Sequence, residues 1–154
     1  METGKPHHYT QCGLGNVYLR NGFEVVPTKY GEAIRIHDMD GLHSAIGRYL
    51  IREKKQLDGA EIRFLRHEMD LSQNVLGKLL DKSAQSIARW EKGQSKMDGP
   101  ADRLLRLLYE SHATDTGREH GIAELLRQLA ELDDTDHLAD VQFEDTERGW
   151  SRAA

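Results

Sequence analysis

The chain has 154 residues, of which 38% are hydrophobic and 31% charged, and its formal net charge is −5. A chain of this length and composition can form one modest core with an appendage. It has no run of about 18 apolar residues, so no transmembrane helix is expected. The single cysteine, Cys12, excludes a disulfide framework and a multi-cysteine zinc site within one chain. The first residues lack the apolar segment of a secretory signal, so we expect a cytoplasmic protein without membrane partners.

The acidic charge is concentrated in the C-terminal third of the chain. Residues 110–154 contain 12 Asp or Glu and 4 Lys or Arg, whereas residues 72–96 contain five cations and two anions. Exposed charges are screened beyond about 8 Å at physiological salt, so a local basic surface attracts phosphates even on an acidic chain. The net charge therefore does not exclude a nucleic-acid binder.

Residues 15–37 are predicted to form two or three short strands. Residues 17–19 and 23–26 are rich in β-branched and aromatic residues, and the Asn21-Gly22 dipeptide between them predicts a tight hairpin. A turn at residues 29–31 leads to a third predicted strand at 33–37. A sheet this small is only marginally stable alone, so we expect it to pack on the helix that follows.

Five helices are predicted after the strands. The first begins at Asp38 or Asp40 as N-cap, and the second begins at Asp58, with Glu61 three residues later in a capping-box pattern. The later predicted starts are Ser72, Ser83 and a position near Pro100, and the fourth helix is expected to end at Gly93. A further amphipathic helix is predicted at 121–132, and the acidic, aperiodic residues beyond it predict a largely disordered tail.

The predicted fold class is therefore α+β and mainly α, with a small N-terminal β-sheet region followed by a five-helix helix-turn-helix bundle. The predicted divisions are 1–57 for the N-terminal hairpin and helix, 58–112 for the helix-turn-helix domain, and 113–154 for a C-terminal helix and acidic tail. Two short helices joined by a short turn, with one helix before and one after them, are typical of DNA-binding bundles.

The fourth helix carries the candidate base-reading residues. Ile87 and Trp90 are three residues apart and are expected to face the core, whereas Gln85 and Arg89 are four apart and share another face. Glutamine can pair with adenine and arginine with guanine in a major groove about 12 Å wide, which admits a helix. We therefore predict that Gln85 and Arg89 read base edges, with the small Ala84 allowing close approach.

Phosphate contacts require less specific chemistry. Ser72 and Gln73 lie at the predicted start of a helix, where unpaired backbone N–H groups favour anions. Cations and hydroxyls beside the fourth helix are placed to bind neighbouring phosphates. The predicted phosphate-binding residues are Ser72, Gln73, Lys82, Ser83, Ser86, Lys92 and Lys96. Glu91 is expected to pair with a cation of the fold.

The stretch FLRHEMDLSQNVLGKLLDKSAQSIARWEKGQ resembles the lambda-repressor-like (Xre/Cro) helix-turn-helix family. The matching landmarks are Leu71-Ser72-Gln73, Leu76 and Leu79 as core residues, and the run from Ile87 to Gly93. The resemblance implies a homodimer that binds double-stranded DNA at a near-palindromic operator, with Gln73 at the DNA backbone. Two positions depart from the family pattern, because Lys82 replaces an apolar residue and Asp81 stands where many relatives have glycine.

The N-terminal segments CGLGNVYLRNGFEV and HDMDGLHSAIG bear a looser resemblance to MqsA-type antitoxin regulators, which have a zinc-binding domain before the DNA-binding domain. Their paired Cys-x-x-Cys motifs are missing here, since only Cys12 remains. His7, His8, Cys12 and His37 are the remaining candidate ligands. Histidines near a chain terminus are more often solvated than bound to metal, so we expect no metal and no cofactor.

The sequence thus predicts a sequence-specific DNA-binding repressor of the Xre type. The alternative is an antitoxin that neutralises a toxin partner and autoregulates its operon, using the N-terminal sheet or the 121–132 helix as its protein-binding surface. An enzyme is not expected, because the chain has no glycine-rich phosphate loop and no nucleophile elbow. His67-Glu68 does not begin a zinc-protease motif either, since Leu71 stands in place of the second histidine.

Overall fold

The computed structural model describes residues 4–113 and 139–154, which form six strands and five helices. In chain order these are β1 His7–His8, β2 Val17–Leu19, β3 Phe23–Thr28, β4 Gly31–Ile36, α1 Met39–Glu53, α2 Gly59–Glu68, α3 Gln73–Leu80, α4 Ala84–Glu91, α5 Gly99–Ala113, β5 Val141–Thr146 and β6 Gly149–Arg152. The chain divides into two compact units, and the described residues of the first are 4–46 and 139–154, while those of the second are 47–113.

The first unit contains a four-stranded sheet in the order β1-β2-β5-β6. Strand β2 is antiparallel to β1 and parallel to β5, and β5 is antiparallel to β6. Val17 pairs with Val141 and Leu19 with Phe143, and all four side chains are buried. The core of this unit is therefore formed by strands that lie far apart in the sequence.

This sheet shows that the predicted fold class is wrong. The β region is neither small nor confined to the N-terminus, because β5 and β6 complete the sheet from the other end of the described chain. The predicted disordered tail is also wrong for these two strands, in which Val141, Phe143 and Trp150 are buried. The acidic residues Glu144 and Asp145 obscure the alternation of apolar and polar residues that would predict β5. Its partner β2 lies far away in the sequence, so no local pattern predicts their pairing.

The hairpin predicted at Asn21-Gly22 is also wrong, since β2 pairs with β1 and β5 and does not pair with β3. The Asn21 side chain instead binds the backbone of Asp145, accepting from its N–H at 2.6 Å and donating to its carbonyl at 3.4 Å. Gly22 has a positive φ of 75°, and a Cβ there would overlap the ring of Trp150. The dipeptide therefore connects the four-stranded sheet to the next strand.

Strands β3 and β4 form a separate antiparallel hairpin, with Phe23 opposite Ile36 and Thr28 opposite Gly31. The predicted turn between them is confirmed, and Tyr30 at its tip is 94% exposed. Residues before the predicted strands contact the following helix, because the Tyr9 hydroxyl lies 2.8 Å from Nε2 of His43 in α1.

The helices of the second unit begin where the polar side chains of the sequence predict. Asp58 and Glu61 form a reciprocal capping box at the start of α2, with both hydrogen bonds 2.9 Å long. Ser72 accepts the Val75 N–H at the start of α3, and Ser83 accepts the Ser86 N–H at the start of α4. Such caps satisfy backbone donors that have no partner within the helix, so they fix each helix start.

The core of this unit contains many of the expected apolar residues. Ile62, Leu65, Leu76 and Ile87 are buried, but Leu79 is 46% exposed, so its predicted core position is wrong. This core also contains the fully buried guanidinium of Arg106, which donates to Asp102 within α5 and to the carbonyls of Ile51 and Lys55. These contacts join α5 to the end of α1. The amphipathic segment predicted at 121–132 lies outside the described residues.

Candidate nucleic-acid interface

Helices α3 and α4 form a helix-turn-helix with a turn of three residues, Asp81-Lys82-Ser83. Asp81 ends α3 in the left-handed conformation, with φ 59° and ψ 45°. Aspartate and asparagine are among the non-glycine residues that tolerate this region best, so Asp81 can end α3 without a glycine. The turn also passes close to α3, since a Cβ on Gly77 would lie 2.6 Å from the Lys82 carbonyl oxygen.

Helix α4 has one buried and one exposed side. Ile87 and Trp90 are buried, at 0% and 6% exposure. Gln85 and Arg89 are exposed, and neither makes a side-chain hydrogen bond or ion pair with the described residues. Ala84 is half-buried at the same end of the helix. The structure thus leaves an amide and a guanidinium one turn apart and available to bind a ligand.

A buried polar network fixes α4 from its other side. Arg66 of α2 donates to both carboxylate oxygens of Glu91, through Nε at 2.6 Å and through Nη2 at 2.9 Å. Its Nη1 also donates to the carbonyl of Leu71 at 2.9 Å, just before α3. Burial alone would raise the pKa of Glu91, but hydrogen bonds from Arg66 and Gln73 outweigh it and hold the pKa below its ordinary value. The expected structural role of Glu91 is confirmed.

The same network engages one of the predicted phosphate ligands. Nε2 of Gln73 donates to Oε1 of Glu91 at 3.1 Å, and the side chain is half-buried. The amide is therefore held within the fold, and only its remaining N–H and the backbone N–H at the start of α3 are left to contact a phosphate.

The predicted hydroxyl ligands also have structural partners. The side-chain oxygens of Ser72 and Ser83 are helix caps, and the hydroxyl of Ser83 donates to that of Ser86 at 3.1 Å. The hydroxyl oxygen of Ser83 is therefore shared between a cap and a neighbouring side chain. Ser72 and Ser83 are exposed, however, so the backbone N–H groups of the helix starts beside them remain available to an anion.

The cations of the motif fall into two groups. Lys82 is paired with Asp98 at 2.9 Å, whereas Lys92 and Lys96 are exposed and have no carboxylate partner among the described residues. Lys78 on α3 is likewise exposed and unpaired within residues 4–113 and 139–154, although it is not among the phosphate-binding residues predicted from the sequence. Its charge was visible in the sequence, but its exposure follows from the burial of Leu76 and Leu80 on the other side of α3.

The exposed charges of residues 72–98 do not balance. Arg89 joins Lys78, Lys92 and Lys96 as a cation without an anionic partner in the described part of the chain. Of the anions, Glu91 is neutralised by Arg66 and Asp98 by Lys82, so Asp81 is the exposed anion left in the turn. This excess of positive charge favours a negatively charged ligand.

Each of the four candidate metal ligands has other contacts in the first unit. The Cys12 thiol donates to the Tyr9 carbonyl oxygen at 3.7 Å, and Nε2 of His37 lies 3.6 Å from Oδ2 of Asp145. Nε2 of His8 donates to the Gly15 carbonyl oxygen at 2.8 Å, the His8 ring stacks on Tyr18, and His7 packs beside Phe23. No group of three His, Cys, Asp or Glu side chains suited to a metal ion occurs in the residues that the structure describes. None of the described helices is long and apolar enough to span a bilayer.

Comparisons of the chain with protein-family models, with curated proteins and with solved structures find no match. The candidate interface is therefore defined by its own residues: a three-residue turn, a helix anchored by Ile87, Trp90 and Glu91, and an exposed face that carries Gln85 and Arg89.

Proposed function

We propose that the protein is a sequence-specific DNA-binding transcriptional regulator, a repressor that inserts α4 into the major groove. The observation that carries the proposal is the exposed side of α4, where Gln85 and Arg89 lie one turn apart with no partner among the described residues. Ile87 and Trp90 hold the opposite side of the helix in the core. A rigid helix with two unengaged, hydrogen-bonding side chains suits direct contact with base edges.

The chemistry of these two side chains defines what they would recognise. Arginine makes two hydrogen bonds to O6 and N7 of guanine, and glutamine makes two to N6 and N7 of adenine. Each such pair is worth about 1–3 kcal/mol of discrimination against the wrong base. The half-buried Ala84 adds little bulk on the groove side, which supports a close approach of the helix start to the bases.

Binding strength would come from the backbone contacts. Lys92 and Lys96 are unpaired cations near the end of α4, and the N-termini of α3 and α4 offer backbone N–H groups beside Ser72 and Ser83. Such contacts set the position of the protein on the duplex without carrying sequence information. Lys78 is a further candidate for this role.

The proposal includes a homodimer and membership of the lambda-repressor-like class. One short helix reads few base pairs, and two helices related by a two-fold axis read half-sites about one helical turn apart. The operator is then near-palindromic, and a cytoplasmic location is part of the proposal. The antitoxin alternative stays a prediction from the sequence.

The proposal is tested by selecting bound duplexes from a random DNA pool with purified full-length protein, at two salt concentrations. We expect enrichment of one near-palindromic motif, with half-site centres about 10 base pairs apart. Affinity for the selected site should exceed that for random duplex by at least about a thousandfold. A pool without any enriched motif would contradict the proposal.

A further inference from the structure

Lys82 and Asp98 form an ion pair on the surface that the proposed function assigns to DNA. Nζ of Lys82 lies 2.9 Å from Oδ2 of Asp98, and the two side chains keep 36% and 42% of their surface exposed. Lys82 directly precedes Ser83, the N-cap of α4, and Asp98 directly precedes α5. The pair therefore links the turn of the motif to the start of α5.

Both oxygens of the Asp98 carboxylate are engaged. Oδ2 accepts from Lys82, and Oδ1 accepts the backbone N–H of Ala101 at 2.9 Å. These hydrogen bonds hold the pKa of Asp98 below its ordinary value, so the group is charged at neutral pH. Lys92 and Lys96, the other lysines predicted to bind phosphate, have no such carboxylate within the described ranges. Lys82 thus differs from them in having an anion already bound.

We propose that Asp98 is an intramolecular competitor of the DNA backbone, which holds the ammonium group of Lys82 until a phosphate displaces its carboxylate. The inference rests on the proposed function. Carboxylate and phosphate oxygens accept the same charge-assisted hydrogen bonds from an ammonium group. An exposed ion pair is weak, so the exchange is reversible and lowers the affinity without preventing binding.

This competition lowers the overall affinity and leaves the ratio of specific to nonspecific affinity unchanged. A phosphate contact contributes equally at every sequence, so its loss lowers the affinity for random and specific DNA alike. The ratio is still set by Gln85 and Arg89 at the bases. Asp98 would thus weaken the binding of the protein to every duplex, including the far more numerous nonspecific sites.

The test compares wild type with Asp98→Asn, because asparagine keeps the cap acceptor for Ala101 and removes the charge. At low salt we expect the Kd for random duplex to fall about two- to fivefold per subunit, the range that a surface ion pair supports. The plot of log K against log salt should steepen by up to about 0.9 per subunit, in proportion to the fraction of wild-type complexes in which Lys82 stays paired with Asp98.

Asp81→Asn is the matched control. It also removes one negative charge from the motif, Asp81 has no ion-pair partner in the described residues, and asparagine tolerates its positive φ. It therefore reports the effect of charge alone, and we expect a smaller gain in affinity with an unchanged salt slope.

Lys82→Gln provides the second arm, with Lys82→Met as a replacement if circular dichroism shows lost helicity. In the Lys82→Gln background, Asp98→Asn should raise the affinity for random duplex no more than Asp81→Asn does. Equal gains from Asp98→Asn with and without Lys82, or equal gains from Asp98→Asn and Asp81→Asn, would overturn the inference. The proposed function fails separately, when wild type selects no motif; an absence of any duplex binding by wild type and by Asp98→Asn would overturn both.

Discussion

Arg66 and Glu91 form a buried ion pair in which one guanidinium donates to both oxygens of one carboxylate, at 2.6 and 2.9 Å. The two side chains are 10% and 5% exposed. Paired contacts between two planar groups fix orientation as well as distance. Because Glu91 is the last residue of α4, this contact with α2 determines how the exposed side of α4 is presented.

Replacing Arg66 with alanine should destabilise the protein by about 3–5 kcal/mol, because it leaves the Glu91 carboxylate buried without its main cation. Urea unfolding followed by circular dichroism measures the change. Arg63→Ala removes an exposed cation from the same helix and should change stability by about 0.5 kcal/mol or less. Similar losses for the two variants would contradict the role of the pair.

The pH dependence of stability should report Glu91. Its folded-state pKa lies below the ordinary value of 4.5, so its charged form stabilises the fold. This contribution is fully present above the unfolded-state pKa and is lost as the pH falls through the folded-state pKa. The difference in unfolding free energy between wild type and Glu91→Gln should therefore shrink as the pH drops below about 4.5. Curves that stay parallel down to pH 3 would speak against it.

Phe143→Ala tests whether β5 is part of the core. The side chain is fully buried opposite Leu19, so we expect a loss of about 3–5 kcal/mol and faster amide exchange in β2. Ser151→Ala, at an exposed position of the neighbouring β6, serves as the control and should have almost no effect. If these residues were disordered, neither substitution would change the free energy of unfolding.

Arg89→Ala and Lys92→Ala should weaken DNA binding in different ways. Removing the arginine should relax the preference at one base pair of each half-site, at a cost of about 1–3 kcal/mol for the preferred base. Removing the lysine should weaken binding to all sequences and reduce the salt slope by about one per subunit. Binding assays on the selected site and its single-base variants distinguish these results, and the same pattern from both variants would refute the assignment.

Gly77→Ala should destabilise the protein although alanine is the better helix former. The new Cβ would lie 2.6 Å from the Lys82 carbonyl oxygen, a backbone atom that cannot move without changing the turn. We expect a loss of about 1–3 kcal/mol in urea unfolding, against a propensity gain of about 1 kcal/mol. Gly99→Ala has no atom within 4 Å of its new Cβ and should be neutral or stabilising.

The sequence predicts those features whose physical causes are local. The caps at Asp58, Ser72 and Ser83 depend on a side chain and a backbone N–H three residues later, so they are visible as short patterns. The exposure of Gln85 and Arg89 likewise follows from the helical period, once Ile87 and Trp90 define the buried side.

Features that depend on distant partners are not visible in this way. The sequence predicts Gln73 and Lys82 as phosphate ligands. In the structure Gln73 donates to Glu91 and Lys82 pairs with Asp98, and both partners lie elsewhere in the fold. The pairing of β2 with β5 is missed for the same reason, because neither strand carries a local sign of its partner.

The parallel pairing of β2 with β5 also affects how the chain folds during synthesis. Ribosomes add about 5–20 residues per second, so Leu19 waits on the order of ten seconds for Phe143 to be made. In that interval the helices that follow β2 can already complete their own contacts. Until β5 is made, Val17 and Leu19 lack their parallel partner strand, so the four-stranded sheet of the first unit can be completed only after Phe143 has been synthesised.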